Sequence, residues 1–128
     1  MKRYLLLTLG LSLSLSATNY YYEYGKKVEL QPLNTTRSIN NQDIRYYMRP
    51  NGHKVGVNDE IIVQCKDNIN CQTQLEKYNF VKISKLSEKL FLVKIDKSQD
   101  IFAISQELYN SNSIKLAHPN FIKTIKRR

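Results

Sequence analysis

The order of elements between Glu60 and Ala117 constrains this chain most. "EIIVQC" is a β-branched strand. "NCQTQLEKYN" follows as a short helix: Asn70 offers the N-cap, Leu75 and Tyr78 share a face, and Asn79 ends it. "FVKISKL" alternates Val81 and Ile83 against Lys82 and Ser84, as a strand with one buried face does. Ser87, Glu88 and Lys89 make a turn into "LFLVKI", where Phe91, Val93 and Ile95 lie on one side. "SQDIFAISQELYNSN" is the clearest helix. Ser98 is its expected N-cap, and Asp100 sits in the first turn, where the helix dipole favours a carboxylate. Its apolar stripe is Ile101, Ile104 and Leu108, with Phe102 on the flank. Asn110 to Ser113 end it, and Ile114 to Ala117 form the last strand. Strand, helix, strand, strand, helix, strand amounts to two split β-α-β units. Right-handed crossovers then place both helices on one face of an antiparallel sheet. The expected fold class is α+β, a ferredoxin-like two-layer sandwich preceded by β-hairpins.

Periodicity assigns the sheet residues to two faces. Ile61, Val63, Val81, Ile83, Phe91, Val93, Ile95, Ile114 and Leu116 are expected under the helices. Ile62, Gln64, Lys82, Ser84, Leu90, Leu92, Lys94, Lys115 and Ala117 are expected on the opposite face. A two-layer domain leaves that second face open. Its mixed composition suits either a half-solvated sheet covered by lysine stems or a docking surface.

The chain before Glu60 reads differently. "MKRYLLLTLGLSLSLSA" has a basic start, an apolar centre and small residues at its end, the order of a secretory signal. Cleavage is expected after Ser16 or Ala17, giving an exported, periplasmic or extracellular protein. Tyr20 to Val57 reads as paired strands, with breaks at Gly25 and at Asn51-Gly52. "NTTRSINNQD" between them is expected to be a polar linker. The expected division is residues 1–17 signal, 18–57 hairpin-rich extension, 58–121 the split β-α-β domain, and 122–128 a basic tail. With 128 residues in all, one small domain is the ceiling.

Cys65 and Cys71 are too few for a structural zinc site, and export favours a disulfide between them. The formal charge is +9, but only "IKTIKRR" clusters its cations, so nucleic acid is not an expected partner. No metal-ligand spacing surrounds His53 or His118, and no nucleophile elbow or phosphate-cradling loop is present. The chain is expected to have no catalytic activity and no cofactor.

"LFLVKI", "DIFAISQELYNS" and "IKLAHPNF", with "KVGVNDEIIVQC" and "FVKISKL" before them, resemble a known module. It is the N-terminal prodomain of bacterial subtilisin-like serine proteases of the fervidolysin type. The likeness spans about Val55 to Phe121 and ends at the "AHPNF" corner. It implies a folding chaperone and inhibitor whose open sheet face docks on the protease catalytic domain. Carried over residue by residue, the docking set is Ile62, Leu90, Leu92 and Ala117, with Glu88 capping helix N-termini of the partner. Pro119, Asn120, Phe121, Ile122, Lys123, Thr124, Ile125, Lys126, Arg127 and Arg128 would be the extended tail directed into the substrate cleft. The sequence departs from that family in carrying no catalytic Asp, His and Ser domain after the module. The chain would therefore be a stand-alone inhibitor or chaperone of a protease in trans, or a truncated or split protease precursor whose catalytic domain is encoded downstream. The competing reading is an unrelated exported ferredoxin-like binding domain whose basic tail engages anionic surfaces.

Overall fold

The computed structural model describes residues 19–39 and 42–123. The expected signal (residues 1–17) and the tail residues Thr124 to Arg128 lie outside the described residues. The strands are β1 (Tyr20–Glu23), β2 (Lys26–Glu29), β3 (Gln31–Ile39), β4 (Gln42–Met48), β5 (Lys54–Val57) and β6 (Glu60–Cys65). Helix α1 (Cys71–Leu75) is followed by β7 (Lys82–Lys85) and β8 (Leu90–Lys94). Helix α2 (Ile101–Tyr109), β9 (Ile114–Pro119) and β10 (Ile122–Lys123) complete the order. The chain is thus a mixture of strands and helices, mostly strand, arranged in small antiparallel sheets. None of the described helices is long and apolar enough to cross a membrane.

The lead-in forms two of the sheets. β1 and β2 pair through a two-residue turn in which Tyr24 (φ 51°) and Gly25 (φ 77°) both take positive φ. Two left-handed residues match the twist of a tight hairpin, and glycine takes one of the two places without steric cost. The second sheet has the order β10-β5-β4-β3. Its β3 corrects the expected linker: "NTTRSI" is strand, paired with β4 as far as Ile39 opposite Gln42. The threonines and Ile39 favour extended backbone, and pairing with "DIRYY" outweighs the polar composition. At the next turn Gly52 N–H donates to Arg49 O (2.9 Å) and Arg49 N–H to His53 O (2.9 Å). Asn51 Oδ1 accepts from His53 N–H at 3.0 Å.

The third sheet is β7-β8-β6-β9, antiparallel throughout. Both helices bury residues in one common core with its inner face. That core joins Ile61, Val63, Phe91, Val93 and Ile95 to Leu75 of α1 and to Ile101, Phe102 and Leu108 of α2. The same cluster takes in Tyr21, Leu30, Tyr47, Val55 and Val57 from the lead-in, so the apolar interior is continuous across both segments. Tyr47 meets Phe102 edge-on at 5.1 Å between ring centroids.

Local capping explains the helix ends. Asn70 Oδ1 accepts from Thr73 N–H (3.2 Å), as expected. The cap of α2 is Asp100, not Ser98: Asp100 Oδ1 accepts from Phe102 N–H at 3.0 Å and Ala103 N–H at 3.4 Å. Asp100 combines the capping oxygen with a charge that suits the positive end of the helix. Ser98 instead donates to Asp96 Oδ2. The buried stripe of α2 is Ile101, Phe102, Ser105 and Leu108, which moves Ile104 to its edge and Phe102 into the core.

Candidate functional site

Cross-strand pairing places the outward residues of the third sheet in rows. Leu90, Gln64 and Leu116 form one row; Ser84, Leu92, Ile62 and His118 form the next; Lys82, Lys94 and Glu60 form the third. Ile62, Leu90, Leu92 and Leu116 are half-buried, and none of them belongs to the core under the helices. Beyond their sheet neighbours and α2, no described element lies broadly against β6, β7 or β8, and at the His118 end the face meets Phe121 and Tyr21. Its apolar centre is bordered by Lys82, Lys94 and Glu60 on one side and by the β7–β8 turn on the other.

That turn carries Glu88. Its side chain is 93% exposed and its carboxylate lies 3.9 Å from Lys85 Nζ. A carboxylate so exposed keeps its hydration and remains free to meet a partner's donors. Beside it, Lys89 Nζ donates to Asp67 Oδ1 and holds that carboxyl below the usual carboxylate range. The contact ties the β7–β8 turn to the loop after β6. The same loop contains the disulfide between Cys65 and Cys71, whose Cα atoms are 5.6 Å apart. Both cysteines are buried, joining the end of β6 to the start of α1.

Three expectations for this face need correction. Val81, expected under the helices, precedes β7 and is exposed, although its N–H donates to Lys94 O. Ala117 is buried under the helices, and Leu116 faces outward in its place. The cause is a β-bulge. Val63 pairs with Ala117 and Gln64 with Leu116, but Cys65 pairs with Ile114, so Lys115 is an extra residue in β9. One extra residue inverts the facing of everything beyond it. Ile114 and Ala117 are thus both inward although three positions apart.

The tail expectation is corrected at its start. Pro119 is buried within β9, and Asn120 N–H donates to Glu60 O at 2.8 Å. Phe121 packs against the core, and Ile122 and Lys123 pair with Gly56 and Val55 as β10. Five of the ten expected tail residues, Pro119 to Lys123, are therefore built into the fold. The edge of β5 and the aromatic residues of the lead-in supply the partners of this segment.

Those partners form a cluster that periodicity did not single out. The ring of Phe121 lies 4.7 Å from that of Tyr21 and 6.0 Å from the parallel ring of His118. The Arg49 guanidinium sits 5.1 Å from the centre of the Phe121 ring. Burial pushes the Tyr21 hydroxyl above its ordinary pKa, partly opposed by the charge of Arg49. Arg49 acts mainly through that charge, because neither Tyr21 Oη nor Arg49 Nε has a hydrogen bond of good geometry among the described residues. Alternation in "YYYEY" held a signal for Tyr21, since one of three successive tyrosines must turn away from the other two. Nothing local pointed to Arg49.

A shallow groove of about 640 Å3 opens beside this cluster, lined by Asn19, Glu29, Gln31, Met48, Arg49 and Pro50 among others. It brings together one acid and one base and no nucleophile. Among the described residues there is no group of three or more His, Cys, Asp or Glu side chains placed to hold a metal ion. Comparison with protein-family models, with curated proteins and with solved structures finds no match for this chain.

Proposed function

We propose that this chain is an exported module of the subtilase-prodomain type, which docks on a subtilisin-like serine protease as folding chaperone and inhibitor. The observation that carries the reading is the strand order β7-β8-β6-β9 with both helices on one side and an apolar-centred face left uncovered on the other. That order is the one two split β-α-β units produce, so it supports a ferredoxin-like sandwich. The docking set becomes Ile62, Leu90, Leu92 and Leu116, with Glu88 at the rim. Burying such residues against a partner is favourable by about 25 cal/mol per Å2 of apolar area. Glu88, exposed at the turn, would accept from free N–H groups at a helix N-terminus of the partner. The buried Cys65–Cys71 disulfide supports an oxidising compartment.

The test is inhibition and refolding of a subtilisin-like catalytic domain by purified residues 18–128. Leu92→Glu in the centre of the open face is expected to weaken inhibition at least tenfold, and Glu88→Ala to weaken it by less. Inhibition is expected to change little between low and moderate salt. Absence of both inhibition and assisted refolding defeats the proposal. Binding instead to anionic vesicles or DNA, falling steeply with salt, would establish the competing reading of a basic-tailed binding domain.

A further inference from the structure

We infer that Phe121 to Lys123 form a reversible latch, which holds the C-terminal segment on the lead-in and opens without unfolding the sheet. The inference concerns how the tail of the proposed inhibitor becomes available, and in that respect rests on the function proposed above. Register with β6 continues to Asn120, whose N–H donates to Glu60 O (2.8 Å) and whose Nδ2 donates to Glu60 Oε1 (3.3 Å). Beyond Asn120 the chain changes partners. Phe121 wedges against Tyr21 and His118 beneath Arg49, and Ile122 and Lys123 then lie along β5.

The two sides of this junction differ in strength. β9 holds β6 through the paired residues from Ile61 to Cys65, and its inward side chains are in the core. Among the described residues β10 holds β5 through Ile122–Gly56 and Lys123–Val55, at a sheet edge, with Ile122 half-buried. An edge strand paired on one side, with a half-buried side chain, lies nearer the low-stability end of a structure than a central strand does. A Cβ at Gly56 would stand 2.7 Å from Ile44 Cγ2 and 3.3 Å from the Tyr46 ring, so the glycine makes room for side chains of β4, while Ile122 Cβ lies at ordinary contact distance (3.4 Å). Phe121 is the only large ring in the segment and makes its contacts to the core, which makes it the bolt. A tail that enters a protease cleft from Phe121 onward must first leave β5. The cleft therefore has to bind the open form more tightly than the closed one.

Amide hydrogen exchange on residues 18–128, wild type and Phe121→Ala, tests the latch. In the wild type the Ile122 and Lys123 amides are expected to exchange at least ~10-fold faster than those of Val63 and Val93. Phe121→Ala is expected to accelerate Ile122 and Lys123 by roughly a further 10-fold while leaving Val63 and Val93 unchanged. Ile122→Ala serves as a second variant and is expected to show the same pattern if Phe121→Ala does not fold. Exchange of β10 in step with Val63, or acceleration of all four amides together, overturns the inference. A working latch in a protein that inhibits no protease refutes the proposed function alone. Inhibition by a protein whose β10 opens only with the whole sheet refutes the latch alone.

Discussion

Val63 and Ala117 face each other on the buried side of the β6–β9 ladder, and the adjoining pair, Gln64 and Leu116, faces outward. Ala117 is almost fully buried where β9 packs against α2. Ala117→Leu is expected to cost about 1–3 kcal/mol through overpacking. Leu116→Ala, one residue away, is expected to cost less than about 1 kcal/mol, since it creates no buried cavity. Urea denaturation of the two variants reads the difference. Equal costs would show that the bulge at Lys115 does not set the facing.

The Cys65–Cys71 bridge closes a short loop, with a sequence separation of 6. The chain-entropy relation assigns such a loop about 2 kcal/mol. The double variant Cys65→Ala with Cys71→Ala is expected to lose about that amount while keeping the far-ultraviolet circular dichroism of the parent. Denaturation with and without reductant makes the same comparison on the wild type, and only the wild type should respond to reductant.

Asp100 bonds two backbone N–H groups at the start of α2, and Ser98 bonds none of them. Asp100→Ala is expected to cost about 1 kcal/mol. Ser98→Ala is expected to stay within about 0.5 kcal/mol of the parent. Thermal unfolding of the pair decides which residue caps the helix in solution.

Tyr21 and Tyr47 both have pKa values raised above the ordinary 10.0, chiefly by burial. The folded state thus favours their neutral forms. Their contribution is fully present below pH 10.0 and is lost as pH rises through that value toward the higher folded one. Unfolding free energy is therefore expected to fall above about pH 10. Tyr21→Phe should flatten part of that fall. At neutral pH it should match or exceed the parent, because the hydroxyl it removes is buried without a good hydrogen bond among the described residues. Denaturation curves between pH 7 and 11 check both signs. A parent curve as flat as that of the variant would sink the prediction.

Much of the third sheet was legible in the sequence because its strands and helices carry clean periods. Ile61 and Val63 alternate with Ile62 and Gln64, and Asn70 caps where a cap is needed. The errors have particular causes. Alternation puts Ala117 on the wrong face because a bulge leaves no mark on composition, and Lys115 looks like any other outward lysine. "NTTRSI" read as linker because its polarity hid a strand whose stability comes from β4, not from itself. Phe121 to Lys123 read as a free tail because their partners, Tyr21, Arg49, Val55 and Gly56, lie far back in the chain. Local pattern cannot convey a contact between residues so far apart. The open face was half legible: Ile62, Leu90 and Leu92 stand where alternation put them, and Leu116 takes the place given to Ala117.

The first described strand is completed by the last third of the chain. Tyr20 O accepts from Gln106 Nε2 (3.1 Å), Tyr22 stacks on Tyr109 at 4.4 Å, and Tyr21 rests on Phe121. During synthesis in the N-to-C direction, "YYYE" emerges well before Gln106, Tyr109 and Phe121. Until then Tyr21 and Tyr22 lack Phe121 and Tyr109, the rings on which they rest. Joining ends so distant closes a long loop before any contact rewards it, which makes this the slow kind of folding step. The waiting β1–β2 hairpin is thus exposed to misassociation on the way to the native state, and is a place where a molecular chaperone has something to protect.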